Sequence, residues 1–594
     1  MSRVLLIFVV FSWSAVAYGQ DSATDEGDLA KQVGKILRRN CYRCHKGQGS
    51  ESGYAFNVLD ISSLLDESMI VDGDHEGSEI YNAMFRGRMP PRNRPQLPRP
   101  SAEDVQIVKQ WIDSGAQEIP KPTPRPTITL KDELLTIRAD LRARPRDDRF
   151  NIRYLTLTHL HNDPIVDQEQ LDATRLALVK TLNSLSWESL LVPPEAIDEA
   201  RTVYAVDIVK LGWNREHWNA LSQAYPYALS FGSFEDVDLK EIDEDIRDLR
   251  ASDRTPVSLR ADWLISVGTK PPLYYKLVYD LELPELLERR AATDDAANPK
   301  RMTDVDLEQY LGVDVIDNIV RGNVWRSGFT ESGISGQNRL VERHAMKSGG
   351  FYWKSYDFKS SNRTAILSEF PLGPSFDGNQ FRELAFIHDG GEIIFSLPNG
   401  LQAYLLVDAR GNRIEAGPIE VVADSLRTSG NEQIVSGLSC IACHRGGMIE
   451  PPDDEVRRFS GVVGSARDHV RRIYPEDKEF RRLLEKDRKL FARSLAEATR
   501  DFVAEGNIKS LPEPVGEVAR HYHLEPMRIE TVAADLYISV DRLRGAIEAD
   551  PRLRQLGLRV LLRDGGTIKR AAWESPATFP LMRQVARQFG YDPR

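Results

Sequence analysis

Cys440-Ile441-Ala442-Cys443-His444 sets two thiols three residues apart and an imidazole directly after the second. Thiols at that spacing can each add across a vinyl group of one porphyrin, giving two thioether links. The histidine that follows then meets the iron as its proximal ligand. The pattern recurs as Cys41-Tyr42-Arg43-Cys44-His45, and the two copies use all 4 cysteines. A CxxC pair alone also suits a redox dithiol or half of a zinc site. A histidine after both pairs, with no thiol left over, favours covalent haem at each. The chain therefore reads as carrying two covalently attached haem c groups on Cys41, Cys44, Cys440 and Cys443, with His45 and His444 as axial ligands. No disulfide is then available, so stability has to come from packing.

A chain of 594 residues predicts several domains. Hydrophobic content of 41% and charged content of 28% are those of an ordinary globular protein. The net charge of -11 provides no basic footprint, so no nucleic-acid partner is expected. It suits docking against basic redox partner proteins. Residues 1–20 have the layout of an export signal: Arg3, the apolar run Val4 to Phe11, then small residues at Ala15-Val16-Ala17 or Ala17-Tyr18-Gly19. Beyond it no apolar run reaches the roughly 18 residues of a membrane span. The expectation is a periplasmic or secreted chain with no transmembrane segment after cleavage.

Residues 25–119 outline an all-α module. Leu29, Val33, Ile36 and Leu37 share a helical face running into Asn40 and the first motif. Ser101 is a candidate N-cap for a helix with Val105, Val108, Trp111 and Ile112 on one stripe, ending at Gly115. The loop between two such helices has to supply the sixth iron ligand. Arg88-Met89-Pro90-Pro91 suits that task, because the Met89 thioether is a soft donor and the prolines fix its backbone. Met84 and Met69 compete, and both read as core packing. The run Gly87-Arg88-Met89-Pro90-Pro91, followed by Leu97, Ser101 and Trp111-Ile112-Asp113-Ser114-Gly115-Ala116, resembles the planctomycete-type cytochrome c domain. That resemblance implies His45 and Met89 as the axial pair.

Alternating prolines at 120, 122, 124 and 126 mark a stiff linker over residues 120–130. Residues 131–320 read as mostly helical, with helices at Asp132–Arg142 and Asp167–Leu185 and one strand at Thr202–Val209. His159 and His161 read as packed or capping residues, and Trp213, His217 and Trp218 as core. Residues 321–450 are β-rich. Leu384–His388, Glu392–Leu397 and Leu401–Val407 read as strands joined by turns at Asp389-Gly390-Gly391 and Pro398-Asn399-Gly400. Asp408 to Gly411 turns the chain again, giving an antiparallel meander that leads to the second motif. Residues 451–594 read as helical, with Asp453 and Asp454 capping after Pro451-Pro452 and an apolar face of Phe480, Leu483, Leu484, Phe491 and Leu495. The fold class is thus multidomain α+β. The stretches Leu340–His344, Trp353–Phe358 and His388–Gly400 resemble segments of large secreted bacterial cytochromes, which implies architecture and haem and no particular reaction.

For the side of the second iron opposite His444, His388 is the first candidate because it closes an expected strand at a tight turn. His344 is the runner-up, and His469 and the His521/His523 pair follow. Met448 lies too close to His444 in sequence to cross a porphyrin. Two functions compete. An electron carrier needs both irons six-coordinate. A peroxidase- or oxygenase-like enzyme needs an open second iron with a distal base and a cation, for which Glu342, Arg343 and His344 are the candidates. The sequence favours the carrier.

Overall fold

The computed structural model describes residues 22–42, 44–45, 56–91, 99–120, 125–227, 229–230, 236–279, 302–330, 338–358, 366–419, 422–502, 514–563, 565–575, 580–590 and 592–593. The export signal over 1–20 and Leu97 lie outside these. The chain divides into two compact units, residues 1–123 and 124–594.

In the first unit the helix Ser22–Leu37 runs into a π-helical turn, Arg38–Tyr42, that carries the chain into the first motif. Helices Ile61–Asp66, Glu79–Phe85 and Ala102–Asp113 follow. Apolar residues at helical spacing close a core of their own: Val33 and Leu37 from the first helix, Val108, Trp111 and Ile112 from the last, with Ile70 and Met84 between. Ser101 caps the last helix as expected, accepting from the Asp104 amide while the Asp104 carboxylate accepts from the Ser101 amide.

The second unit has one continuous core running from Leu130 to Ala586. Residues 131–320, 321–450 and 451–594 all contribute to it. The helices Leu130–Ala143 and Gln168–Ser184 stand where periodicity puts them. Between them lies a strand that the sequence reading missed, β1 (Ile152–Thr156). With β2 (Glu195–Ala196), β3 (Val203–Asp207) and β5 (Ser258–Arg260) it forms a sheet of order β2-β3-β1-β5. The short β4 (Leu229–Ser230) pairs instead with β12 (Asp592–Pro593) near the C-terminus.

The larger sheet is antiparallel and six-stranded: β6 (Trp325–Phe329), β7 (Arg339–Ala345), β8 (Phe351–Asp357), β9 (Gly390–Ser396), β10 (Gln402–Asp408) and β11 (Arg413–Ile414), each beside the next. Two expectations are corrected here. Leu384–His388 is not a strand: Arg382–Leu384 is a 3-10 turn, and Phe386 is buried against Tyr356 and Phe358. Gly390 and Gly391 are not a turn but the start of β9. A Cβ on Gly391 would lie 2.0 Å from the Ser355 carbonyl oxygen, and one on Gly390 2.8 Å from that of Val407. Glycine is there to let backbones approach. The expected turn at Gly400 holds, with φ +84.

Register decides which residues share a face, since side chains alternate along a strand. Glu342 pairs with Lys354, Lys354 with Ile393, and Ile393 with Leu405. That face carries Glu342, His344, Tyr352, Lys354 and Tyr356. The other carries Arg343, Trp353, Glu392, Ile394, Tyr404 and Leu406. On this second face the helix Asp477–Ala498 brings Asp487 to Arg343, at 2.7 and 3.0 Å, and to the Trp353 indole N–H at 2.9 Å.

Candidate haem-attachment sites

Both motifs take the same local turn. The amide of His45 donates to the Cys41 carbonyl at 3.0 Å, and the amide of His444 to the Cys440 carbonyl at 2.8 Å. One helical turn thus holds two thiols and an imidazole together in each place. In the first, Cys41 is buried and Cys44 half-buried. Burial, helped by Cys44, pushes the Cys41 thiol up to about 12. The His45 ring stacks on Phe56 with centroids 4.7 Å apart, and burial lowers its pKa, which keeps it in the neutral form that binds a metal.

The methionines of this unit separate by position. Met84 is buried in the core and Met69 packs against it. Met89 follows the helix Glu79–Phe85 in a loop tied back through the Arg88 and Met89 amides, both donating to the Ala83 carbonyl. The residue is 36% exposed. Of the three methionines Met89 alone is exposed.

The second motif lies on the helix Leu438–Cys443, which packs against the helix Pro514–Leu524 and β10. The contact is close: a Cβ on Gly516 would come within 2.8 Å of the Ala442 Cβ. Gly437, at φ +82 before the helix, lets the chain pass between the Thr269 carbonyl and Tyr274. Tyr274 and Tyr279 close the edge of β10, donating from both hydroxyls to the Tyr404 carbonyl at 3.1 and 2.6 Å.

His444 is held from both ring nitrogens. Its Nδ1–H donates to the Gly447 carbonyl at 3.3 Å, which orients the ring and turns Nε2 outward. Nε2 faces Glu392 Oε2 at 3.7 Å, and the ring lies 5.8 Å from that of Tyr404. Burial alone would raise the Glu392 carboxyl, but His444 and a hydrogen bond with the Cys440 thiol outweigh it and hold it at about 2. Burial, then the Glu392 charge, pushes the Cys440 thiol well up. The donor set fits covalent haem at both motifs, two thiols and one imidazole in each. Among the described residues no three His, Cys, Asp or Glu side chains group as a metal site.

Glu392 was missed by sequence reasoning. Its signal is slight: one carboxylate in the otherwise apolar strand Gly390–Ser396. The histidines proposed for the far side of the second iron are not brought to His444. His344 Nε2 bonds Glu342 at 3.1 Å, and its Nδ1 faces Asn318 at 3.2 Å, on the opposite face of the sheet from Glu392. His388 packs edge-on against Tyr356, 4.9 Å between centroids, on that same opposite face. It precedes β9 rather than closing a strand, and burial with the Lys354 charge lowers its pKa to about 4. His469 tilts onto Phe381, His521 lies near Glu525, and His523 Nε2 donates to the Ser266 carbonyl. Glu342, Arg343 and His344 do not form one distal site either, because Arg343 points away from the other two and is held by Asp487.

The first unit, a CxxCH turn between packed helices with a methionine presented on a loop, is of the c-type cytochrome class. Residues 41–93 match the family model described as Planctomycete cytochrome C. No curated protein and no solved structure matches the chain. The match reaches from Cys41 past Met89, and it carries haem binding and electron transfer for that segment. No helix among the described residues is long and apolar enough to cross a membrane.

Proposed function

We propose that this chain is an exported di-haem c-type cytochrome that passes electrons between partner proteins. Cys41, Cys44, Cys440 and Cys443 would hold the two porphyrins, His45 and Met89 would ligate the first iron, and His444 would ligate the second. The observation that carries the reading is the shared turn: each histidine amide bonds back to the first cysteine carbonyl of its motif. The hydrogen bond from His444 Nδ1 to the Gly447 carbonyl, which orients the ring, supports it further. Bound haem would supply a one-electron iron couple. The protein's part would be to hold each cysteine pair and its histidine on one turn and to bring its net negative charge to docking.

The test is a count. Pyridine haemochrome analysis of the protein matured in a haem-attaching periplasm should give two haems per chain. Replacing Cys440 and Cys443 with Ala should leave one, and so should replacing Cys41 and Cys44. A count of one in the native chain would remove the second site.

A further inference from the structure

We infer that a cavity beside the smaller sheet of the second unit binds a short monocarboxylate. None of its lining residues belongs to a CxxCH motif, so the inference stands apart from the haem reading. The helices Leu130–Ala143 and Val237–Leu249 form its walls. Its floor is Ser258 and Arg260, on one face of the edge strand β5, beside Thr156 of β1. The cavity holds about 70 Å³. A cavity of about 150 Å³ takes benzene with its six heavy atoms, so about half that volume suits three or four.

One side is apolar, made by Leu130, Leu134, Ile246 and Val257. The other carries Glu133, Tyr225, Arg260 and Tyr537. Burial raises the Tyr225 phenol most, the Arg260 charge lowers it and the Glu133 charge raises it, so these three share one space. Convergent polar groups against an apolar wall are the usual make-up of a small-molecule site.

The hydrogen bonds there leave donors unspent. The Tyr225 hydroxyl accepts from the Arg260 amide at 3.0 Å, and among the described residues no acceptor receives its own proton. Arg260 is 3% exposed and has five N–H donors. Its Nη2 donates to the Asp535 carbonyl at 2.7 Å. Its Nη1 lies 2.9 Å from Asp535 Oδ1, yet no N–H of that nitrogen is aligned on an acceptor. Buried donors in this state are costly, and an oxyanion accepts from both residues at once.

Charge selects the same class. The guanidiniums of Arg247, Arg250 and Arg260 line the cavity against two carboxyls, Glu133 and Asp243. Glu133 accepts from the Tyr537 hydroxyl at 2.9 Å, and burial still raises its carboxyl. That favours its protonated form, which donates to an anion instead of repelling it. The apolar side then takes a short alkyl end.

The test is calorimetric titration of the full chain, matured with haem, with acetate, acetamide and hexanoate at constant ionic strength. Acetate should bind once per chain, and acetamide and hexanoate at least about tenfold more weakly. Tyr225→Phe removes the donor and keeps the ring. It should weaken acetate about tenfold or more, as loss of a hydrogen bond to a charged group does. Val257→Phe, which fills the cavity, should abolish binding while near-ultraviolet circular dichroism stays native. Should that variant fail to fold, the wild-type series and Y225F decide. No heat from acetate would overturn the inference. So would acetamide binding as tightly as acetate, or equal acetate affinity in Y225F and wild type.

Discussion

At the scale of single residues, burial decides what each polar group can do. Met84 and Met89 are the simplest contrast, at 5% and 36% exposed. Truncating Met84 to Ala should cost about 2–5 kcal/mol, the usual cost of emptying a buried methionine site, and keep methionine–iron ligation. Met89→Ala should do the reverse, abolishing the near-infrared band of the ferric protein with little loss of stability. The opposite pattern would exchange their roles. Asp454 is a second case. It accepts from the Gly328 and Arg457 amides, although the N-cap position of the helix Val456–Phe459 is Glu455 and not Asp453 or Asp454 as expected, and burial pushes its carboxyl up to about 6. The folded value lies above the unfolded one of about 3.9, so its contribution is fully present below about pH 4 and lost as pH rises to about 6. The pH-dependent part of the stability difference between wild type and Asp454→Asn should therefore change by about 3 kcal/mol across that window, in favour of the variant at the upper end. Denaturant midpoints measured at steps between those limits would show it, and a flat difference would refute it.

At the scale of elements, β9 carries most of the argument. Its two glycines are legible as glycines but not as strand residues, because a Gly-Gly pair after Asp is also a strong turn signal. Only the approach of β8 and β10 distinguishes the two. Gly391→Ala should destabilise the chain by several kcal/mol, in the class of severe overpacking, since the obstacle is the Ser355 carbonyl, which is backbone. Gly545→Ala makes the control. It lies in the helix Val540–Ala549 with nothing within 4 Å of a new Cβ, so it should stabilise by about 0.5–1 kcal/mol. Equal effects at the two sites, by denaturant unfolding, would show that the β9 register is wrong.

At the scale of the whole molecule there are two separate sets of core residues, one within residues 30–119 and one within 130–586. Cores that share no residue allow independent cooperative units. Residues 22–123 and 124–594, each exported with haem-attaching machinery, should fold separately and hold one haem apiece. Calorimetry of the full chain should resolve two transitions, the smaller lost with the first fragment removed. A single transition for the whole chain would show that the units unfold together.

What the sequence determined by itself is local. The two CxxCH turns, the methionine loop at Met89, the Ser101 cap and the helices over 130–143 and 168–184 depend on neighbours within a few residues. Spacing and side-chain chemistry reveal them directly. Most of the large sheet was less legible. β6, β7 and β8 escaped notice although the change to aromatic and β-branched residues after Gly322 marked the region. The placing of His344, His388 and Glu392 was beyond the sequence altogether. Which face a strand residue takes follows from register, and register is set by partners far along the chain. Tertiary structure alone turns Arg343 away from Glu342 and His344, and alone brings Glu392 to His444. A strand alternates by one residue, so a ligand assigned without its register has even odds of facing the wrong side.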